Sequence, residues 1–155
     1  SFHHHAGADL PEWEEAGVKG RLIAGEAEGL KSGVHVHSPL FYQHWEMDAD
    51  ARRSLTTAYP ERAIYCARGK VEIGSTFLSA GQMAVLNEGR LADVVACQPS
   101  IVMVLGGEPL GQRYLLWNFV SSSKERLEQA KEDWKAGRMK LPDADNLEFV
   151  PFPED

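Results

Sequence analysis

Short apolar or β-branched stretches separated by glycines run through residues 18–119 and constrain the fold more than any other feature of the sequence. Many short strands with a turn about every 8–12 residues are typical of β-sandwiches and barrels. No interval between these stretches is long enough for the crossover helix that parallel strands require. The sequence therefore predicts an all-β, antiparallel sandwich or barrel. We expect strands at residues 21–24, 34–37, 40–47, 63–67, 71–73, 83–86, 92–96, 101–105 and 114–120.

Residues 40–47 show the alternation that assigns the two faces of a strand. Every second side chain of a strand points to the same side of the sheet. The more apolar set should face the core, and it consists of Phe41, Gln43, Trp45 and Met47. The other face carries Leu40, Tyr42, His44 and Glu46.

One helix is predicted near the C-terminus. Ser122 and Glu125 have the spacing of a capping box, and Gly137 suits the position after the last turn. A single apolar stripe along this helix consists of Leu127, Ala130 and Trp134. Because the other positions are charged, we expect the helix to cover the barrel through Trp134. A helix that binds a partner protein is the alternative.

The length of 155 residues suits one domain. Within it we expect a leading segment or interdomain linker at 1–17, a barrel at 18–120, the helix at 121–137 and a tail at 138–155. Three prolines in the tail favour an extended path across a surface.

Charge and composition exclude several classes of function. The net charge of −7 argues against direct nucleic-acid binding and against a membrane-surface protein, since both need a basic face. No run of about 18 apolar residues is present, and the N-terminus lacks the pattern of a signal peptide. We therefore expect a cytoplasmic protein. Cys66 and Cys97 lie in apolar, strand-like runs, so both should be buried free thiols, with a disulfide or a reactive thiol as the alternative.

Residues 60–89, PERAIYCARGKVEIGSTFLSAGQMAVLNEG, resemble the cupin superfamily, a jelly-roll type of β-barrel. Cupins that bind a metal use two histidines at i and i+2 on one strand, with a further histidine and an acid from neighbouring strands. If Gly69 is the last glycine of the first cupin motif, its ligand positions fall on Thr56, Ala58 and Arg62, or one residue earlier on Leu55, Thr57 and Glu61. The second motif places its proline at Asn87 and its histidine at Ala92. Glu61 alone could serve as a ligand.

Two other arrangements of side chains remain open. His35 and His37 are at i and i+2 on a predicted strand, and with His44 they could form a metal site that Glu46 or Glu61 completes. Histidines at the surface or in hydrogen bonds are the simpler interpretation. A cavity in the barrel could instead be lined by Tyr42, His44, Tyr59, Glu61 and Tyr65.

Three further segments resemble the C-terminal half of a pirin. They are GRLIAGEAEGL at 20–30, GGEPLG at 106–111 and WNFVSSSKERLEQAKEDWKAG at 117–137, and they are followed by FVPFPE. Pirins contain two cupin domains, of which the N-terminal one binds iron through three histidines and a glutamate. Members are linked to oxygen-dependent cleavage of quercetin-like flavonols and to binding of transcription regulators. None of the iron ligands maps onto a residue of this chain, so the resemblance implies no catalytic residue, no metal ligand and no cofactor here.

The resemblance therefore implies a non-catalytic cupin barrel. We expect it to pack against an N-terminal, metal-bearing cupin domain, a second copy of itself or another protein. The alternatives are an iron-dependent, quercetinase-like dioxygenase in its own right and a barrel that binds small molecules or acts as a transcription coregulator.

Overall fold

The computed structural model describes residues 3–143 and 145–153. The chain divides into two compact units, of which one spans His4–Pro109 and the other begins at Leu110.

The first unit is built from short strands that follow a 3-10 turn at Gly7–Asp9. In chain order, β1 to β11 are Glu12–Glu15, Val18–Ala27, Leu30–Lys31, Leu40–Met47, Arg52–Ser54, Glu61–Arg68, Lys70–Ile73, Thr76–Ser79, Met83–Leu86, Asp93–Ala96 and Ser100–Gly107. They form a larger sheet in the order β1-β2-β4-β11-β6-β9, with β3 on β2, and a smaller sheet in the order β5-β10-β7-β8. All their pairings are antiparallel, as the sequence predicted.

The core lies between these two sheets. Its buried members come from both, and they include Val18, Leu22, Phe41, Trp45, Ile64, Val102 and Val104 from the larger sheet and Val71, Leu78, Val94 and Ala96 from the smaller one. The predicted inward face of β4 is confirmed, because the side chains at 41, 43, 45 and 47 are all buried. Gln43 is tolerated there because the Trp45 indole donates a hydrogen bond of 2.5 Å to its side-chain oxygen.

The predicted strand at 34–37 is wrong. These residues form a loop, because the Ser32 side chain takes over local backbone hydrogen bonding. Its hydroxyl donates to the carbonyl of Ile23 at 2.8 Å and accepts from the Val34 amide at 3.2 Å. The prediction for Cys97 is wrong as well. This residue follows the end of β10 and is exposed, whereas Cys66 is buried as expected and both thiols are free.

The second unit consists of a hairpin, a helix and the tail. The predicted strand at 114–120 is in fact two strands, β12 (Tyr114–Leu116) and β13 (Phe119–Ser121), that turn at Trp117 with a φ of 55°. Helix α1 spans Lys124–Lys135. Its N-cap is Ser123 rather than the predicted Ser122, because the Ser123 hydroxyl accepts from the Arg126 amide at 3.3 Å.

The apolar stripe of α1 packs inside the second unit. The Trp134 ring lies 5.6 Å from that of Trp117 and 6.0 Å from that of Phe149, and its indole nitrogen donates to the carbonyl of Val150 at 3.0 Å. Gly137 has a φ of 67°, which confirms it as the residue that ends the helix. Cover of the barrel by this helix stays a prediction. Within the described residues, no helix is both long and apolar enough to span a bilayer.

Candidate functional site

The outer face of the larger sheet carries a groove of about 960 Å³. Strand register aligns its walls, because Leu105 of β11 is paired with Tyr42 on one side and with Ala63 on the other. Ala63 is in turn paired with Val85 of β9. The next row across the same four strands consists of His44, Met103, Tyr65 and Met83. Apart from His44, all the residues of these two rows line the groove.

Large apolar side chains of the groove are left in contact with water. Val85 is 79% exposed and Met83 is 53% exposed. Both belong to β9, which forms an edge of the larger sheet. An antiparallel sheet normally has one buried face and one polar face toward water. An apolar patch on the water-facing side is characteristic of a surface that binds something.

The barrel interior is packed with apolar side chains except at one end, where residues of both sheets, among them Ile73, Ala84 and Leu86, line a second pocket of about 570 Å³. The buried polar side chains in the described ranges are Ser32, Gln43, Arg62 and Ser100. A metal in this interior would need imidazole or carboxylate donors, and the described chain buries neither kind there. These residues do not fit a metal ion.

Arg62 occupies the barrel end where one alignment of the cupin motif puts its glutamate ligand. Its side chain is 1% exposed, and the guanidinium donates to the carbonyls of Thr56 at 3.1 Å, Asn87 at 3.1 Å and Arg90 at 2.8 Å. It thus ties β6 to the loop before it and to the loop between β9 and β10. Gly106 is required where β11 passes β6 and β4 closely, because a Cβ there would lie 2.5 Å from the Glu61 carbonyl oxygen, 2.6 Å from the Phe41 ring and 3.0 Å from the Arg62 Cγ.

Three of the five residues predicted to line a cavity do line the groove. They are Tyr42, Glu61 and Tyr65, and they lie on the outer face instead of the barrel interior. His44 lies on the same face of β4, between Arg21 and Met103 in the register.

Tyr59 has a structural position away from the groove. Its ring packs 5.3 Å from that of Phe41, and its hydroxyl lies 3.1 Å from the carbonyl of Glu26 and 3.4 Å from that of Leu40. Burial raises the pKa of the Tyr59 phenol, and the carboxylates of Glu26 and Glu108 add to this shift. Tyr59 is therefore a neutral hydrogen-bond donor that tethers two strands.

The three candidate metal-binding histidines are not gathered into one site. His35 and His37 are exposed in the loop before β4, with ring centroids 4.7 Å apart. His44 belongs to the strand itself. Across the described residues, no three or more His, Cys, Asp or Glu side chains are grouped so that they could hold a metal ion.

Sequence reasoning missed the apolar side of the groove formed by Met83, Val85, Met103 and Leu105. The available signal was in residues 83–86, MAVL, a strand with no polar position on either face. A strand of this kind needs cover on both sides.

Comparison with known proteins finds one matching family and several relatives of greater length. Residues 42–140 match the family described as the Pirin C-terminal cupin domain. A pirin-like protein of Caulobacter vibrioides is 57% identical over 99% of this chain and 54% of its own length. A putative quercetin 2,3-dioxygenase of Pseudomonas aeruginosa is 30% identical over 96% of this chain and 47% of its own.

A crystal structure of a quercetin 2,3-dioxygenase from Acinetobacter baumannii shows the same fold. It superposes with a TM-score of 0.75 at 25% identity, over 84% of this chain and 48% of that one. The fold is thus a cupin sandwich, and the chain spans about half the length of the curated relatives that it matches.

Proposed function

The chain belongs to the pirin family, in which it corresponds to the C-terminal cupin domain, and we propose that it is a barrel without chemistry of its own that packs against a metal-bearing cupin domain. The contact surface is the groove on the outer face of the larger sheet. The observation that carries this proposal is the exposure of Val85 and Met83 at the groove's edge strand.

Burial of this face would stabilise a complex through the hydrophobic effect. The groove wall consists mainly of aliphatic and aromatic side chains, and tyrosine and methionine are enriched where proteins meet. Tyr42, Tyr65 and Met103 supply such side chains from three adjacent strands. The relatives are about twice as long as this chain, so proteins of the family have the length for a second domain of similar size.

The barrel interior supports the non-catalytic part of the proposal. In the described ranges it buries apolar side chains together with Gln43, Ser100 and the Arg62 guanidinium, and none of these is an imidazole or carboxylate donor. A quercetin 2,3-dioxygenase activity, which the names of two similar proteins print, would then be carried out by the partner barrel. The competing proposal of a dioxygenase in this chain alone predicts that the isolated chain cleaves quercetin when Fe²⁺ is added.

A chimera tests the packing proposal. In the chimera, this chain replaces the matched region of the Caulobacter vibrioides relative. Thermal unfolding is measured for the chimera and for its variants Val85→Glu and Phe77→Glu. Phe77 is the matched control, because it is an apolar residue that is 52% exposed on the smaller sheet.

We expect Val85→Glu to lower the unfolding midpoint of the chimera or to split one transition into two, because a charge would be buried without a partner. Phe77→Glu should leave the transition unchanged, and neither variant should change the midpoint of the isolated chain by more than a few degrees. Equal effects of the two substitutions in the chimera would contradict the proposal.

A further inference from the structure

One end of the groove is acidic. β4 begins and β11 ends there, and the register aligns Leu40 with Gly107 and Gly107 with Glu61. Glu88 lies two residues beyond the end of β9, and β9 pairs with β6 at this end through Leu86 and Arg62. Glu61 and Glu88 both line the groove, so two carboxylates lie at the same end of the face.

Neither of these carboxylates is neutralised by a described neighbour. Glu61 and Glu88 are exposed, and neither forms an ion pair or a side-chain hydrogen bond within the described residues. Glu12 on the same sheet is different, because it is paired with both Arg21 and Lys19.

Arg62 borders the groove, but its guanidinium does not neutralise these carboxylates. This residue is 1% exposed, and its two terminal nitrogens donate to the carbonyls of Thr56, Asn87 and Arg90, inside the barrel end. A protein that covered the groove would therefore desolvate free carboxylates at this end, which costs free energy unless it supplies a cation.

We infer that the surface covering the groove has an apolar centre and, at one end, a lysine or arginine that faces Glu61 and Glu88. This inference rests on the proposed packing function and names the chemistry of the partner. The apolar centre supplies affinity, and the charge pair fixes the orientation in which the two barrels meet. A second copy of this chain, turned so that the two acidic ends meet, would be disfavoured by repulsion.

Charge reversal in the same chimera tests the inference. Glu61→Lys and Glu88→Lys are prepared singly and as a double variant. The control is Glu14→Lys, the same charge change as either single variant, at an exposed residue of β1 that forms no ion pair within the described residues. Thermal unfolding is measured at about 0.05 M and about 0.5 M salt, because salt screens exposed charges.

We expect each groove substitution to lower the midpoint of the chimera by about 2–4 °C at low salt. The loss should shrink at high salt and be absent from Glu14→Lys and from the isolated chain. If the groove variants match Glu14→Lys while Val85→Glu still uncouples the two halves, the charge inference is wrong and the packing proposal stands. If Val85→Glu has no effect either, both are wrong.

A separate outcome would assign the groove to a second copy of this chain. The isolated chain would then form a dimer that Val85→Glu dissociates and that Glu61→Lys leaves intact or strengthens. Sedimentation of the isolated chain at several concentrations detects this outcome, and it would overturn the inference.

Discussion

The guanidinium of Arg62 donates a hydrogen bond of 2.8 Å to the backbone carbonyl of Arg90, in the loop between β9 and β10. Two further bonds to the carbonyls of Thr56 and Asn87 make Arg62 a clamp across one end of the barrel. No carboxylate pairs with this buried cation in the described structure, so three backbone carbonyls replace part of its lost hydration, and its buried Nε has no partner among the described residues.

Replacement of this clamp should destabilise the barrel. Arg62→Met keeps a long apolar side chain but leaves three carbonyls without their donor, at about 1–3 kcal/mol for each one that water cannot reach. Loss of a costly buried charge offsets part of this. We expect a net decrease of about 2–4 kcal/mol in the free energy of unfolding, measured by urea denaturation.

Arg68→Met is the matched control for this substitution, because Arg68 is an exposed arginine of the same strand. It should change the free energy of unfolding by less than about 0.5 kcal/mol. Arg62→Lys keeps the charge with fewer donors and should be intermediate. If Arg62→Met had the same free energy of unfolding as the unchanged chain, the three hydrogen bonds would make no net contribution to stability.

The start of α1 offers a test between two adjacent serines. Ser123 is the N-cap, and its hydroxyl accepts from the Arg126 amide and donates to the Glu125 carboxylate at 2.6 Å. Ser123→Ala should therefore reduce the stability of the helix by about 1 kcal/mol. Ser122→Ala should have little effect, and helix content from far-ultraviolet circular dichroism during urea titration measures both. A larger loss of helix stability in Ser122→Ala than in Ser123→Ala would instead support the predicted capping box of Ser122 and Glu125.

The end of the same helix should be sensitive to acid. The hydrogen bond of 2.7 Å from Arg138, followed by that of 2.9 Å from Gln129, lowers the pKa of the Asp133 carboxyl below its ordinary value. A lowered folded-state pKa means that Asp133 stabilises the fold above about pH 4, and that this contribution is lost as the pH falls through the folded-state value.

Urea unfolding between about pH 6 and about pH 3 measures this contribution, since it spans the ordinary pKa of an aspartate. Asp133→Asn should flatten the dependence of α1 stability on pH in the acid range. A variant that loses stability with acid as steeply as the unchanged chain would assign the effect to other carboxylates.

Alternation and turn residues made much of the fold predictable. The faces of β4 follow from LFYQHWEM alone, because alternate burial is a property of the strand itself. The loop at 34–37 was wrongly predicted as a strand because the segment alternates between apolar and polar residues. The hydrogen bond from the Ser32 hydroxyl to the Ile23 carbonyl, which favours the loop, exists only in the folded chain. The turn at Trp117 was missed because a positive φ is uncommon for a residue without glycine's freedom.

The candidate site was less predictable than the fold. Tyr42, Glu61 and Tyr65 were identified as residues of one site, but their placement on the outer face depends on how β6 is paired with β9 and β11. The clamp of Arg62 joins residues up to 28 positions apart through backbone carbonyls, which carry no sequence signal. The sequence showed only that an arginine stands where one alignment of the cupin motif has its glutamate ligand. It did not show which groups the arginine binds.

The rate at which a thiol at position 85 is labelled tests the central claim most directly. Val85→Cys is prepared with Cys97→Ser, because Cys97 is exposed, whereas Cys66 is buried with a raised thiol pKa and should stay inert. Phe77→Cys in the same background is the control. The proposed packing buries one face of the barrel in an interface. It therefore predicts that the thiol at 85 is labelled at least about tenfold more slowly in the chimera than in the isolated chain. Labelling of the thiol at 77 should occur at the same rate in both. Equal labelling rates at 85 in the isolated chain and the chimera would contradict it.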